Sequence, residues 1–253
     1  MGSPAEILAQ LEVRDRSGGG ADCVADNGTF CLDWAIDNFD RYLTPLGEHV
    51  ILVVVPVVLG FLIAFAMAMG SHRRDFLVPP FIAFTGILYT IPSLAFFFLL
   101  LPITGRGRDT AIIALTAFTL QIIYRNIVTG LSNVPEGAKD AGRGMGMTDR
   151  QLFWQVELPL SVPEIVAGLR IATVSTVAIA TLAVFAGGGG LGTEILTQID
   201  FKTNVILTAF LCLAMAVVFD ALLLIGQALL SPWRAPRAPA GRRFFEMFRR
   251  TAT

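Results

Sequence analysis

Charge is what this sequence has least of. Asp, Glu, Lys and Arg make up 15% of its 253 residues, against about 25% in an ordinary soluble domain. With 54% hydrophobic residues and a mean hydropathy of +0.66, the chain reads as an integral membrane protein. Histidine is nearly absent: His49 and His72 stand alone, at opposite ends of the first apolar run. An intramembrane protease needs a histidine beside its serine or a set of paired metal ligands. That enzyme class is therefore disfavoured, and neither a metal site nor catalytic residues are expected. No G-x-x-x-x-G-K-[ST] segment occurs, so the chain is not expected to hydrolyse ATP itself. The first residues lack a basic stretch followed by a continuous apolar core. No secretory leader is expected, and residues 1–48 read as part of the mature protein. Cysteine is scarce as well. Cys23 and Cys31 bracket CVADNGTFC, and Cys212 lies in an apolar run. The first two either close a small loop in an oxidising compartment or stand as free thiols, since spacing does not fix connectivity.

What the chain does have is five apolar runs, at residues 50–69, 78–103, 110–131, 165–185 and 203–230. A bilayer core needs about 20 apolar residues per helix, and a lone strand cannot satisfy its backbone there. The expectation is an all-α integral membrane protein with about five transmembrane helices. Its charges are unevenly placed. Up to Glu48 there are nine acidic residues against Arg14, Arg16 and Arg41; from Arg234 onward there are six arginines against Glu246. Three parts follow: an acidic extracytoplasmic segment (1–48), a membrane domain (49–231) and a basic tail (232–253). Arg73, Arg74, Lys139, Arg143, Arg150 and the tail arginines all fall on one side if the N-terminus is outside. Arg106 and Arg108 run against this and are outnumbered, so the tail and residues 134–160 are expected in the cytoplasm. The tail mixes arginines with Phe244, Phe245 and Phe248, a composition suited to anionic lipid rather than nucleic acid.

Residues 140–159, DAGRGMGMTDRQLFWQVELP, form a charged, glycine-containing island between apolar runs. Two short helices fit it, about 135–143 and 148–156. Thr148 and Asp149 are suited to cap the second, and Pro159 is expected to end it. Gly142, Gly144 and Gly146 mark the turn between. Leu152, Phe153 and Val156 share a face and need cover, either from a partner protein or from the chain's own bundle.

Asp140-Ala141-Gly142, three residues, Gly146, nine residues, then Val156-Glu157-Leu158-Pro159 resembles the EAA loop of permease subunits in binding-protein-dependent ABC importers. Asp140 replaces the usual Glu and Gly142 the second Ala, with the spacing kept. Residues 89–102, 122–126, 142–173 and 186–192 resemble the osmoprotectant branch, whose substrates include glycine betaine, choline and carnitine. The resemblance implies the type I ABC importer (MetI-like) permease fold with cytoplasmic coupling helices. It also implies a second permease subunit, two ATPase subunits that bind ATP and Mg²⁺, and an extracytoplasmic substrate-binding protein. Asp140, Ala141, Gly142, Gly146, Leu158 and Pro159 would shape the ATPase contact, with Leu152 and Phe153 as its apolar anchors. The location implied is the cell membrane of a prokaryote.

Other residues carry weaker signals. Gly187 to Gly192 spells G-x-G-x-x-G, but it follows a membrane helix and not a strand, so a bend at the outer mouth fits better than a nucleotide site. Pro92-Ser93 interrupts the second run; broken helices often line transport paths, though a packing adjustment explains the proline equally. Tyr89 lies one turn earlier and offers a ring face to a quaternary ammonium. Arg125, Arg170 and Asp220 are charges within apolar runs, read either as a structural pair or as a substrate site. The competing functions are a permease for another small solute such as an amino acid, an intramembrane enzyme and a membrane scaffold.

Overall fold

The computed structural model describes Cys23, Val24, Asn27 and residues 30–231. The first 22 residues and the basic tail lie outside the described residues. Among the described residues all regular structure is helical. Helix α1 (Leu32–Asp37) and a 3₁₀ turn (Phe39–Tyr42) lead into α2 (Leu43–Ser71). After a turn at Asp75–Leu77 come α3 (Val78–Thr90), α4 (Ser93–Thr104) and α5 (Arg108–Ser132). The island holds α6 (Glu136–Gly144) and α7 (Asp149–Leu152), followed by α8 (Leu158–Ala180), α9 (Leu191–Thr197) and α10 (Lys202–Leu230).

Among the described residues, four helical stretches are long and apolar enough to cross a membrane: Phe39–Ser71, Arg108–Ser132, Asp149–Ala186 and Lys202–Leu230. The pair α3 and α4 is bent by 95°, so the second run is two helices, divided where Pro92 was expected to interrupt it. Pro92 drives Ile91 out of the helical region, leaving both extended (ψ 126° and 130°). The pair still joins the two ends of the bundle. It starts beside Arg73, which pairs with Asp149. It finishes beside Gly107, whose N–H donates to Ala186 O at 2.8 Å, and Arg108, 3.2 Å from Glu48. Counted as one broken span, it makes five crossings.

Helix α5 is the most enclosed span and α10 the least. Small residues let α2 and α8 press onto α5: a Cβ on Gly60 would sit 1.9 Å from Thr119 Oγ1, and one on Gly168 would sit 2.4 Å from Asn126 Cβ. Two apolar cores result. One gathers Leu52, Phe97, Leu115 and Val177; the other, toward the island, gathers Ala64, Ile123, Tyr124, Ile127 and Phe153. The outward faces stay apolar, with Phe210, Leu213, Val217 and Leu229 all exposed on α10, as hydrocarbon contact requires.

The island ends differently from expectation. Pro159 does not stop the helix. A π-helical turn at Phe153–Glu157 joins α7 to α8, and Pro159 falls in the first turn of α8, where its missing N–H is tolerated. One continuous helical element therefore runs from Asp149 to Ala186.

At the far end a disulfide joins Cys23 and Cys31. The segment after it caps the start of α10. Trp34 is fully buried against Phe201 (ring centroids 4.7 Å apart), and Cys31 N–H donates to Thr203 Oγ1 at 3.0 Å. Arg41 pairs with Glu194 at 2.7 Å, and Tyr42 donates to Asn204 Oδ1.

Candidate coupling site

The turn between α6 and α7 is fixed by its sequence. Thr148 and Gln151 form a reciprocal capping box: Gln151 Oε1 accepts Thr148 N–H at 2.8 Å, and Thr148 Oγ1 accepts Gln151 N–H at 3.4 Å. Gly146 holds φ at 79°, the left-handed region that a residue with Cβ enters at a cost. Gly142 faces Leu152 so closely that a Cβ would lie 2.6 Å from Leu152 Cδ1. These contacts fold α6 and α7 into a hairpin. Asp140 and Ala141 are exposed on it, Asp140 pairing with Arg143 at 3.3 Å, while Leu158 and Pro159 are half-buried where α8 begins.

Leu152 and Phe153 do not present themselves to a partner. They are 3% and 4% exposed, covered by their own chain, so the expectation that they anchor an ATPase is corrected. The physical reason is the Gly142 approach on one side and His72 on the other, whose ring centroid lies 4.7 Å from that of Phe153. The large apolar side chains that the hairpin exposes are Met145 (71%) and Trp154 (47%).

The hairpin meets the end of α2 through polar side chains. His72 Nε2 lies 2.7 Å from Glu157 Oε2, and Arg73 reaches Asp149 at 3.3 Å. Glu157 is buried. Nothing local to the motif points to His72, which lies 85 residues earlier in the chain.

Further along the same helical element, Arg170 grips Asp220 with two parallel hydrogen bonds, Nε to Oδ1 at 2.7 Å and Nη2 to Oδ2 at 2.8 Å. This fork geometry is the strong form of an ion pair, and it ties α8 to α10. Arg125 is not part of it and is exposed on α5. Tyr89 is 46% exposed beside the α3–α4 break, its ring 6.3 Å from Phe118, which also meets Phe96 at 5.6 Å. Pro92 is exposed and Ser93 half-buried at the break.

Beyond the end of α8 the glycine run turns, with Gly187, Gly189 and Gly190 all at φ near 80°. It is held by two residues that sequence reasoning passed over. Glu48 Oε2 accepts Gly190 N–H at 2.9 Å, and His49 Nδ1 accepts Leu191 N–H at 3.3 Å. His49 Nε2 donates to Val177 O at 3.1 Å. The buried imidazole thus uses one nitrogen as donor and the other as acceptor, which fixes a neutral tautomer.

A helical hairpin after the third crossing, continuous with the fourth, is the feature to compare with known proteins. The family described as binding-protein-dependent transport system inner membrane component matches residues 57–235. The chain belongs to this family. Among relatives of the permease is the glycine betaine/carnitine/choline transport system permease protein OpuCB of Bacillus subtilis (strain 168), 33% identical over 197 residues, covering 77% of this chain and 91% of that protein. The osmoprotectant import permease protein OsmW of Salmonella typhimurium is 33% identical over 213 residues, covering 79% and 97%. The ergothioneine transport permease/ergothioneine binding protein EgtU of Helicobacter pylori (strain G27) is 37% identical over 153 residues, which is 60% of this permease but only 27% of that longer protein. In fold, the permease matches a chain of the inward-facing MetNI methionine ABC transporter with a TM-score of 0.64 at 22% identity, covering 76% and 94%.

Proposed function

We propose that this permease forms the translocation path for a quaternary-ammonium osmoprotectant such as glycine betaine, choline or carnitine. The observation that carries the reading is the identity of about one third with the OpuCB and OsmW proteins over more than three quarters of this chain. The solutes in the OpuCB protein's name, and the ergothioneine in that of EgtU, share a trimethylammonium group, so that cation is the feature a common path would serve. Tyr89 is the proposed ring face for it, beside the break at Pro92 and Ser93.

The permease works within a complex: a second permease subunit, two ATPase subunits holding ATP and Mg²⁺, and an external binding protein. It lies in the cell membrane of a prokaryote with the N-terminal segment outside and the hairpin and tail in the cytoplasm. Two features support this sidedness: the Cys23–Cys31 disulfide, suited to an oxidising compartment, and the arginines at the hairpin end. Asp140, Ala141, Gly142 and Gly146 shape the ATPase contact, with Met145 as the exposed apolar tip. Because α7 runs without a break into α8, motion of the hairpin passes along one element to the Arg170–Asp220 pair and the glycine turn. ATP drives the change through the partner's different fit to the two states.

The test is co-purification of the ATPase subunit with the full-length permease, followed by ATP hydrolysis by the reconstituted complex. Stimulation by binding protein loaded with a trimethylammonium solute, and not with methionine, is expected. Stimulation by amino acids alone would replace the substrate assignment.

A further inference from the structure

The end of α2 and the α7–π turn enclose an open groove of about 610 Å³, lined in part by Met69, Arg73, Arg74, Arg150, Phe153 and Trp154. Its rim is cationic and its floor apolar. Arg74 and Arg150 are exposed and make no ion pair among the described residues. Arg73 shares a 3.3 Å contact with Asp149 in which both side chains are more than half exposed, so a stronger anion competes for it. On the floor, the ring of Trp154 lies 6.5 Å from that of Phe65. Phe65 is seven residues before His72, roughly 10 Å along the helix axis, so the groove descends from the charged end of α2 to its apolar face. That face carries exposed Leu62 and Met69, which meet hydrocarbon if α2 spans the membrane.

We propose that this groove seats an anionic phospholipid of the cytoplasmic leaflet, its phosphate among Arg73, Arg74 and Arg150 and its chains along Met69 and Trp154. The leaflet rests on the sidedness given under Proposed function. The occupant follows from the chemistry of the two parts together: three guanidinium groups suit a phosphate, while Trp154 at the junction of charge and hydrocarbon suits the interface of a bilayer. An acidic face of a soluble protein matches the rim but cannot follow the floor into hydrocarbon. The lipid would bridge α2 to the helix that carries the hairpin, making coupling responsive to anionic lipid.

The test uses the full-length permease in phosphatidylcholine nanodiscs doped with chain-brominated phosphatidylglycerol or, at equal mole fraction, chain-brominated phosphatidylcholine. The quenching of Trp154 is obtained as the difference from a Trp154→Phe variant, since Trp34 and Trp233 also emit. Preferential quenching by phosphatidylglycerol is expected, corresponding to roughly fivefold in affinity for each arginine engaged. It is expected to fall toward parity in Arg74→Gln/Arg150→Gln and to persist in Arg74→Lys/Arg150→Lys. Equal quenching by the two lipids in the unaltered protein overturns the proposal, as does a preference that survives the double glutamine variant. Loss of the preference on adding inorganic phosphate at the headgroup's concentration would mark a free-phosphate site instead and also overturns it. So does loss of the co-purifying ATPase subunit from the glutamine variant in lipid-free detergent, which assigns the arginines to a protein contact. Sidedness has its own readout, labelling of Met145→Cys by an impermeant maleimide. Labelling from outside intact cells would refute the orientation while leaving the lipid preference to stand or fall separately.

Discussion

Gly146 and Leu152 separate two roles within the hairpin. Gly146 is exposed at positive φ. A Gly146→Val change strains the turn by about 1–2 kcal/mol where no core packing depends on it. Membrane insertion and thermal stability are expected to stay near normal while substrate-stimulated ATP hydrolysis collapses; normal hydrolysis would remove the docking role. Leu152 is a core residue, so Leu152→Ala is expected to lower stability by about 2–5 kcal/mol, read as a fall in melting temperature of the permease without its partner. An unchanged melting temperature with weakened ATPase binding would restore Leu152 as an anchor. At the far end, His49→Ala removes the acceptor for Leu191 N–H. Amide hydrogen exchange at Leu191 is expected to rise, with little change in the buried amides of α5.

Helices behave less locally than their sequences suggest. Pro159 reads as a stop because proline usually ends helices, yet it lies in the first turn of α8, after a π turn. Pro92 reads as an interruption, and the break is complete because Ile91 is forced extended as well. The apolar runs themselves were legible, since each hydrophobic stretch is a local property. So were the Thr148 cap and the glycine spacing of the hairpin. What was not legible is pairing across the chain. His72 with Glu157 and Glu48 with Gly190 join residues 85 and 142 positions apart, and no local pattern encodes which partner each finds. The same limit hid the burial of Leu152 and Phe153, because their covering groups come partly from the end of α2. For Asp220 a structural pair with an arginine was one of the two readings; that the partner is Arg170 rather than Arg125, and that it holds as a fork, was not legible. A double-mutant cycle tests that tie between α8 and α10: Arg170→Ala and Asp220→Ala are each expected to destabilise the permease, and the double change by less than their sum. Strict additivity would show that the two act independently.

Taken whole, the molecule has two ends joined by one helix. The hairpin lies at one end and the glycine turn with the disulfide-bearing cap at the other. A single helical element of 38 residues, Asp149–Ala186, joins them. In the function proposed above, this element acts as a lever that converts work by a partner ATPase into movement of a trimethylammonium solute. The direct measurement is uptake of radiolabelled choline, carnitine and glycine betaine into proteoliposomes containing the permease, its ATPase and its binding protein, with ATP enclosed on the hairpin side. ATP-dependent accumulation of at least one of these solutes, abolished by Gly146→Val, is the predicted result. Accumulation that needs no ATP, or that is unaffected by Gly146→Val, would contradict the account.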